Sequence, residues 1–289
     1  MKREERVNKL GELPFVEALQ GILHKVAQAV FKEPGGAVEN FLHGTWLGHP
    51  LHPVLTDIPV GAWTAGAVLD AAELATGNRG MGSGADLAIG VGLAGAGSAA
   101  VAGLADWGRM GSGEAKKVGA LHAGLNVTAS LLYLLSLLAR KGGKRGLGKL
   151  LSFTGYGIAG FSAYLGGHLV FSEQIGVDHT ADKPKPEKFT SVMPEGELME
   201  GELRRVEVGD AQVLLTRYGG RIYAMSDICS HLGCSLAQGH LEGDSVRCDC
   251  HGSRYALEDG KVLDGPSAYY QPAYKTRIYG GQIQVGGLR

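Results

Sequence analysis

All four cysteines of the chain fall between positions 229 and 250, and two of them lie close to histidine, as Cys229-Ser-His231 and Cys248-Asp-Cys-His251. A metal centre drawing one thiolate and one imidazole from each pair would have two sulfur and two nitrogen ligands. Structural zinc also takes Cys and His in fours, but its spacing ordinarily sets two cysteines together and two histidines together. Mixed pairs fit better a 2Fe-2S cluster in which one iron is held by two thiolates and the other by two imidazoles. Replacing thiolate with neutral imidazole raises the reduction potential. The chemistry implied is one-electron transfer, with zinc as the competing reading.

Ligands of this kind must be presented by the tips of two adjacent loops, which requires a hairpin-length segment between the pairs. Residues 232–247 supply it. Gly233, Gly239 and Gly243 punctuate the segment with turn positions, and Leu236, Leu241 and Val246 can pin it to a small sheet.

The boxes Cys229-Ser-His-Leu-Gly-Cys234 and Cys248-Asp-Cys-His-Gly-Ser-Arg-Tyr255 resemble those of Rieske proteins in cytochrome bc complexes. The resemblance covers about residues 190–289. It implies Cys229, His231, Cys248 and His251 as ligands, and a disulfide between Cys234 and Cys250 bracing the loops. It also implies that Ser253 and Tyr255 donate hydrogen bonds to cluster sulfurs, which stabilises the more negative reduced state. The frame differs from the bc type in being compact. Gly219-Gly220-Arg-Ile-Tyr-Ala before the first box and Asp264-Gly265-Pro266 after the second are more similar to the small ferredoxins that serve aromatic-ring oxygenases. Such ferredoxins generally lack the disulfide and the serine and tyrosine donors. The expectation is a ferredoxin-sized all-β domain with a bc-type, high-potential cluster environment, in which Pro266 belongs to the loop covering the cluster.

The remaining two thirds read as membrane. Residues 87–105, 118–139 and 150–171 contain no charged side chain, and each is long enough to cross a hydrocarbon core of about 30 Å as a helix. A fourth span, about Val54 to Leu74, contains Asp57 and Asp70, which as intramembrane acids are functional candidates unless they merely pair with backbone or a helix end. Glycines at 90, 92, 95, 97 and 103 suit close helix packing. Ahead of the spans, Phe15, Leu19, Ile22, Leu23, Val26 and Val30 recur at helical spacing, predicting an amphipathic helix on the bilayer surface or against the bundle. The charged start, Met-Lys-Arg-Glu-Glu-Arg, is not followed by the apolar run of a cleavable signal. The predicted organisation is two-domain α + β: an N-terminal segment at 1–48, a four-helix transmembrane bundle at 49–174, a linker at 175–189 and an all-β Rieske domain at 190–289. A net charge of −1 offers no electrostatic case for nucleic acid.

Four spans place His49, His52, His122 and His168 at one end of the bundle, on the side that carries the cluster domain. Haem b held by His122 and His168 is one reason for such a gathering; a quinone site using histidine and Asp57 is another. Interfacial histidines that only cap helices are the bland alternative. His43-Gly-Thr-Trp-Leu-Gly-His49-Pro-Leu-His52-Pro resembles the start of a family of small bacterial four-helix membrane proteins with an HP-x-HP motif, which implies a bundle but no activity.

The loops opposite the cluster domain carry Arg79, Arg140, Lys141, Lys144, Arg145 and Lys149, against Arg109, Lys116 and Lys117 on the other side, with Lys32, Lys183 and Lys185 flanking. The positive-inside rule then puts the cluster domain outside a bacterial cell membrane, and the implied disulfide agrees. The expected function is membrane-anchored electron transfer with quinol, haem or a redox partner protein, as a possible oxidoreductase subunit. In the bc-type family the ligand histidines, here His231 and His251, take a hydrogen bond or proton from quinol. The alternative is a transport or sensing module with a redox-sensing cluster. A Rieske oxygenase is disfavoured, because residues 252–289 are too few for a second iron domain.

Overall fold

The structure is a computed structural model that describes residues 7, 9–31 and 35–289. The charged stretch 1–6 and Lys32 lie outside the described residues. The chain divides into two compact units: one takes residues up to Val30 together with Leu51–Glu173, the other Phe31–Pro50 together with Gln174–Arg289. Residues 31–50, assigned above to an N-terminal segment and the start of the first span, therefore cluster with the cysteine-bearing unit.

The helical unit is built from α1 (Pro14–Val30), α3 (Leu51–Thr76), α4 (Arg79–Gly108), α5 (Glu114–Lys141) and α6 (Arg145–Phe171), while the short α2 (Ala37–His43) belongs to the other unit. Among the described residues, α4 and α5 are long and apolar enough to cross a membrane by length and composition. Helix α3 carries Asp57, Asp70 and Glu73, and α6 is diluted with glycine, serine and tyrosine. Close packing of α3 on α4 depends on Gly92, where a Cβ would lie 2.3 Å from the Trp63 indole; Gly90 and Gly97 meet open space and have no such role. Trp63 in turn stacks on Tyr133 of α5, ring centroids 4.3 Å apart. Helix α1 buries Val16 and Ala27, with Leu19 and Leu23 against Trp107, Val118 and Leu121. It leaves Phe15, Ile22, Val26 and Val30 exposed, so it is apolar on two sides.

The acids that looked costly in sequence separate into two kinds. Asp70 is fully buried and takes two hydrogen bonds from Arg140, 2.8 and 2.5 Å. Arg140 also bonds Asp86, Arg145 joins Asp86 to Glu73, and Lys149 closes the set on Glu73 at 2.9 Å. Three acids and three bases from four helices thus neutralise one another, as burial of charge demands. Asp57 is exposed near the start of α3 and does not face the helix interior.

The second unit is all-β apart from α2 and short 3-10 turns. A six-stranded antiparallel sheet runs in the order β1 (Thr190–Pro194), β10 (Gln282–Leu288), β9 (Ala273–Tyr279), β4 (Arg221–Ser226), β3 (Ala211–Tyr218), β2 (Leu203–Val208). A four-stranded sheet follows as β5 (His240–Glu242), β6 (Ser245–Arg247), β7 (Arg254–Ala256), β8 (Val262–Asp264). Gly219 and Gly220 join β3 to β4 with φ of 59° and 73°, the positive pair a tight hairpin turn requires. Alternation along β3 sends Val213 and Leu215 into one core, with Ala224, Tyr274 and Ile283. Leu214 points into the other, with Met225, Leu236, Val246 and Tyr255. That second core lies beneath the loops after β4 and β6, which carry the two cysteine-histidine boxes.

Candidate metal centre

The two loops have the same hydrogen-bonded frame. In the first, the Cys229 amide donates to the Cys234 carbonyl at 2.8 Å and the Gly233 amide returns to the Cys229 carbonyl at 2.9 Å. In the second, the Cys248 amide donates to the Ser253 carbonyl and the Gly252 amide to the Cys248 carbonyl, both 2.9 Å. Each loop thereby closes on its leading cysteine through a glycine in the left-handed region, φ 77° at Gly233 and 91° at Gly252. Histidine stands two residues after the leading cysteine in one loop and three after it in the other. Buried Asp227 anchors the first loop, accepting from the Ala237 amide at 2.8 Å and the Ser235 hydroxyl at 2.7 Å.

Cys234 and Cys250 form a disulfide that joins the loops, leaving Cys229 and Cys248 as buried free thiols. The sulfurs of Cys234, Cys248 and Cys250 lie within 4.8 Å of one another. Two of the three are spent in the disulfide, so this trio cannot serve as a ligand set. Cys229 and Cys248 share a hydrogen bond, which with burial pushes the Cys229 thiol up and, against the opposing effect of burial, brings Cys248 down to about 7. The rings of His231 and His251, carried by the same two loops, stand 5.0 Å apart, edge to face. Burial, and then the neighbouring imidazoles of His251, His43 and His179, holds His231 down to about 3. The ring is therefore neutral, the form that binds metal. Its Nδ1 is buried without a hydrogen-bond partner among the described residues. A buried orphan nitrogen and two buried thiols on the same pair of loops are donors a mixed thiolate-imidazole cluster needs.

Around the sulfurs lies a polar network. The Tyr255 hydroxyl is 3.2 Å from the Cys229 Sγ and 3.0 Å from the Ser230 Oγ, and Ser230 meets the Ser267 Oγ at 2.8 Å. The Ser253 Oγ accepts from the Ser267 amide at 3.0 Å, which leaves its own proton free to donate. Gln271, 1% exposed, accepts from the Ser230 amide and donates to the carbonyls of Ser226 and Ile228. The roles of Ser230, Ser267 and Gln271 carry no signal in the sequence, because the contacts span 25 to 45 positions.

Of the histidines of the helical segments, His52 and His122 lie ring against ring. His122 uses both ring nitrogens, Nδ1 with the Ser162 carbonyl at 2.8 Å and Nε2 with Asn126 at 3.1 Å, and its ring neighbour is His52 at 6.3 Å. His168 approaches Glu173 at 3.3 Å, and His52 bonds the Ala99 carbonyl at 2.8 Å. His49 lies in the other unit with its ring 5.9 Å from that of Tyr269. The pairing of His122 with His168 about a haem is unsupported, since His122 has no nitrogen left to ligate iron.

Two sheets presenting two glycine-closed loops that carry a pair of buried thiols and a pair of imidazoles define a class: small electron-transfer domains that hold a 2Fe-2S cluster by mixed ligands. The chain belongs to the Rieske [2Fe-2S] domain family, which it matches over residues 188–275, and residues 48–179 match a second family, DUF2231, described as a predicted membrane protein. It is 34% identical to the cytochrome b6-f complex iron-sulfur subunit of Chlorobaculum tepidum, over 36% of this chain and 57% of that one. The ferredoxin component of biphenyl 2,3-dioxygenase from Rhodococcus jostii is 30% identical, over 34% of this chain and 91% of the ferredoxin. The ferredoxin of carbazole 1,9a-dioxygenase from Nocardioides aromaticivorans superposes with a TM-score of 0.33 at 24% identity, over 35% of this chain and 98% of that one. The Rieske domain thus implies a 2Fe-2S cluster, and the chain combines it with a membrane-protein domain.

Proposed function

We propose that this protein is a membrane-anchored electron carrier with a high-potential cluster held by Cys229 and Cys248 on one iron and His231 and His251 on the other. The observation that carries the reading is two buried free thiols and two neighbouring imidazoles on the same pair of loops, one imidazole with a buried unpartnered Nδ1. Such a cluster accepts and returns a single electron. The protein's own groups set how readily. Tyr255 aims its hydroxyl at the Cys229 sulfur, Ser253 has a proton to give, and Cys234–Cys250 holds the two loops together. Donors aimed at the sulfurs favour the more negative reduced state.

Helices α3 to α6 form four membrane spans in this reading. Each has 26 to 30 residues, enough for a core of about 30 Å. Each also turns large apolar side chains outward, with Val68 63%, Leu87 71%, Leu131 55% and Leu150 64% exposed. Water would not tolerate such a band on every helix. The disulfide supports an extracytoplasmic location for the cluster unit. Of the basic residues at the loop ends of the helices, Arg140, Arg145 and Lys149 are tied into ion pairs; Lys141, Lys144 and Arg79 are exposed and orient the chain.

The electron goes to or comes from a redox partner protein or quinol. Paramagnetic resonance and visible spectra of the detergent-purified protein, recorded before and after a quinol is added, test this directly. Reduction of the cluster by quinol is the expected result; a cluster that only dithionite reduces would eliminate quinol as donor, and zinc without iron would sink the cluster itself.

A further inference from the structure

Helix α2 is inside out. Its exposed side carries Val38 and Phe41, 70% and 55% exposed, while Glu39 and His43 are buried at 4% and 1%. The polar side is occupied with the loop that follows β8. Asn40 donates from Nδ2 to the Leu263 carbonyl at 3.3 Å and the Asp264 carboxylate at 3.1 Å, and its Oδ1 accepts from the Gly265 amide at 2.9 Å. Asp264 is itself held by Arg247 and Arg254, 3.0 and 2.7 Å, which fixes the far end of this grip. The His43 ring lies flush against Gly265, where a Cβ would stand 2.7 Å from its Cδ2. Glu39 steadies that ring from one turn earlier, 3.5 Å from Nε2.

The same loop continues into the groups around the sulfurs. Two residues past Gly265, the Ser267 amide bonds Ser253, and the Ser267 hydroxyl bonds Ser230, which meets Tyr255 and through it Cys229. A continuous set of contacts therefore runs from α2 to both hydroxyls that can donate to the cluster. Helix α2 lies outside the stretch 188–275 that matches the Rieske family.

We infer that α2 is a positioning element for the cluster: Asn40 and His43 hold the Gly265–Ser267 loop so that Ser253 and Tyr255 stay aimed at the sulfurs, and this raises the reduction potential. The inference rests on the cluster reading above. Releasing the loop lets those hydroxyls wander, weakens their bonds to sulfur and favours the oxidised state.

The test is a redox titration of the full chain in detergent, followed by paramagnetic resonance, together with hydrogen exchange of the segment 265–270. Asn40→Ala should lower the reduced-to-oxidised ratio at fixed potential by about tenfold, about 59 mV for one electron, and speed exchange at Gly265. Asn40→Ser should shift it the same way by less, and serves if the alanine variant does not assemble. Phe41→Ser, on the exposed side, should leave the potential where it is. Faster exchange at Gly265 with an unmoved potential overturns the inference alone, as does an equal shift in Phe41→Ser. Absence of a Rieske-type signal from the parent protein removes the cluster reading and this inference together.

Discussion

Tyr255 is fully buried and sets its hydroxyl 3.2 Å from the Sγ of Cys229, with Ser230 as its second partner at 3.0 Å. Burial drives its phenol well above the ordinary range, so it stays protonated and remains a donor at any working pH. Tyr255→Phe keeps the ring and deletes the donor. The reduced-to-oxidised ratio at fixed potential should fall by about tenfold, about 59 mV, with the cluster signal retained. An unchanged midpoint would show that the hydroxyl serves only Ser230.

Cys234–Cys250 closes a loop with a sequence separation of 16, for which chain entropy predicts about 3 kcal/mol of stabilisation. Cys234→Ser should lower the thermal midpoint of the cluster unit and hasten loss of iron to a chelator. Equal rates in the parent and the variant under non-reducing conditions would contradict the bracing role.

Arg140 is 2% exposed at its side chain and bonds Asp70 and Asp86 at once. Arg140→Ala strands a fully buried carboxylate, and removing one partner of a buried pair costs about 3–5 kcal/mol. Thermal unfolding in detergent should show that loss, while the double change Asp70→Leu with Arg140→Leu should recover much of it. A double variant as unstable as the single one would mean the ions contribute more than mutual neutralisation.

His240 bonds Asp249 at 2.6 Å and Glu242 at 3.2 Å, which raises it above the ordinary histidine value. Glu242 is lowered to about 2, first by Arg247 and, after the opposing effect of burial, by His240. Because the folded value of His240 is raised, its contribution to stability is fully present below its unfolded value and fades as pH rises through the folded one. For Glu242 the contribution holds above the unfolded carboxylate value and is lost as pH falls towards about 2. A nuclear magnetic resonance titration of the His240 ring should report the upward shift, and Asp249→Asn should reduce it.

The boxes could be read from sequence because each is confined to one loop: a cysteine, a left-handed glycine four residues on and a histidine between them are local signals. The long helices could be read because hydrophobic runs are local too. Pairings across the fold could not. Asp70 looked like an isolated intramembrane acid, and its partner Arg140 stands 70 positions away in what read as a basic loop. His122 looked like a free ligand until Ser162, 40 positions on, took one of its nitrogens. Helix α2 had the weakest signal, since seven residues with a polar inner side give no amphipathic pattern of the usual sense.

The cluster unit is discontinuous, with Leu51–Glu173 of the helical unit inserted between residue 50 and residue 174. Asn40 leaves the ribosome early, yet the amide it must receive belongs to Gly265, 225 positions later. Every helix is synthesised while α2 still lacks its seat. A nascent chain arrested between residues 174 and 265 would carry the helical unit and α2 but leave the grip unmade. Closure of the cluster loop therefore reports that every helix has already been made, and only a chain synthesised past residue 265 acquires its full redox environment.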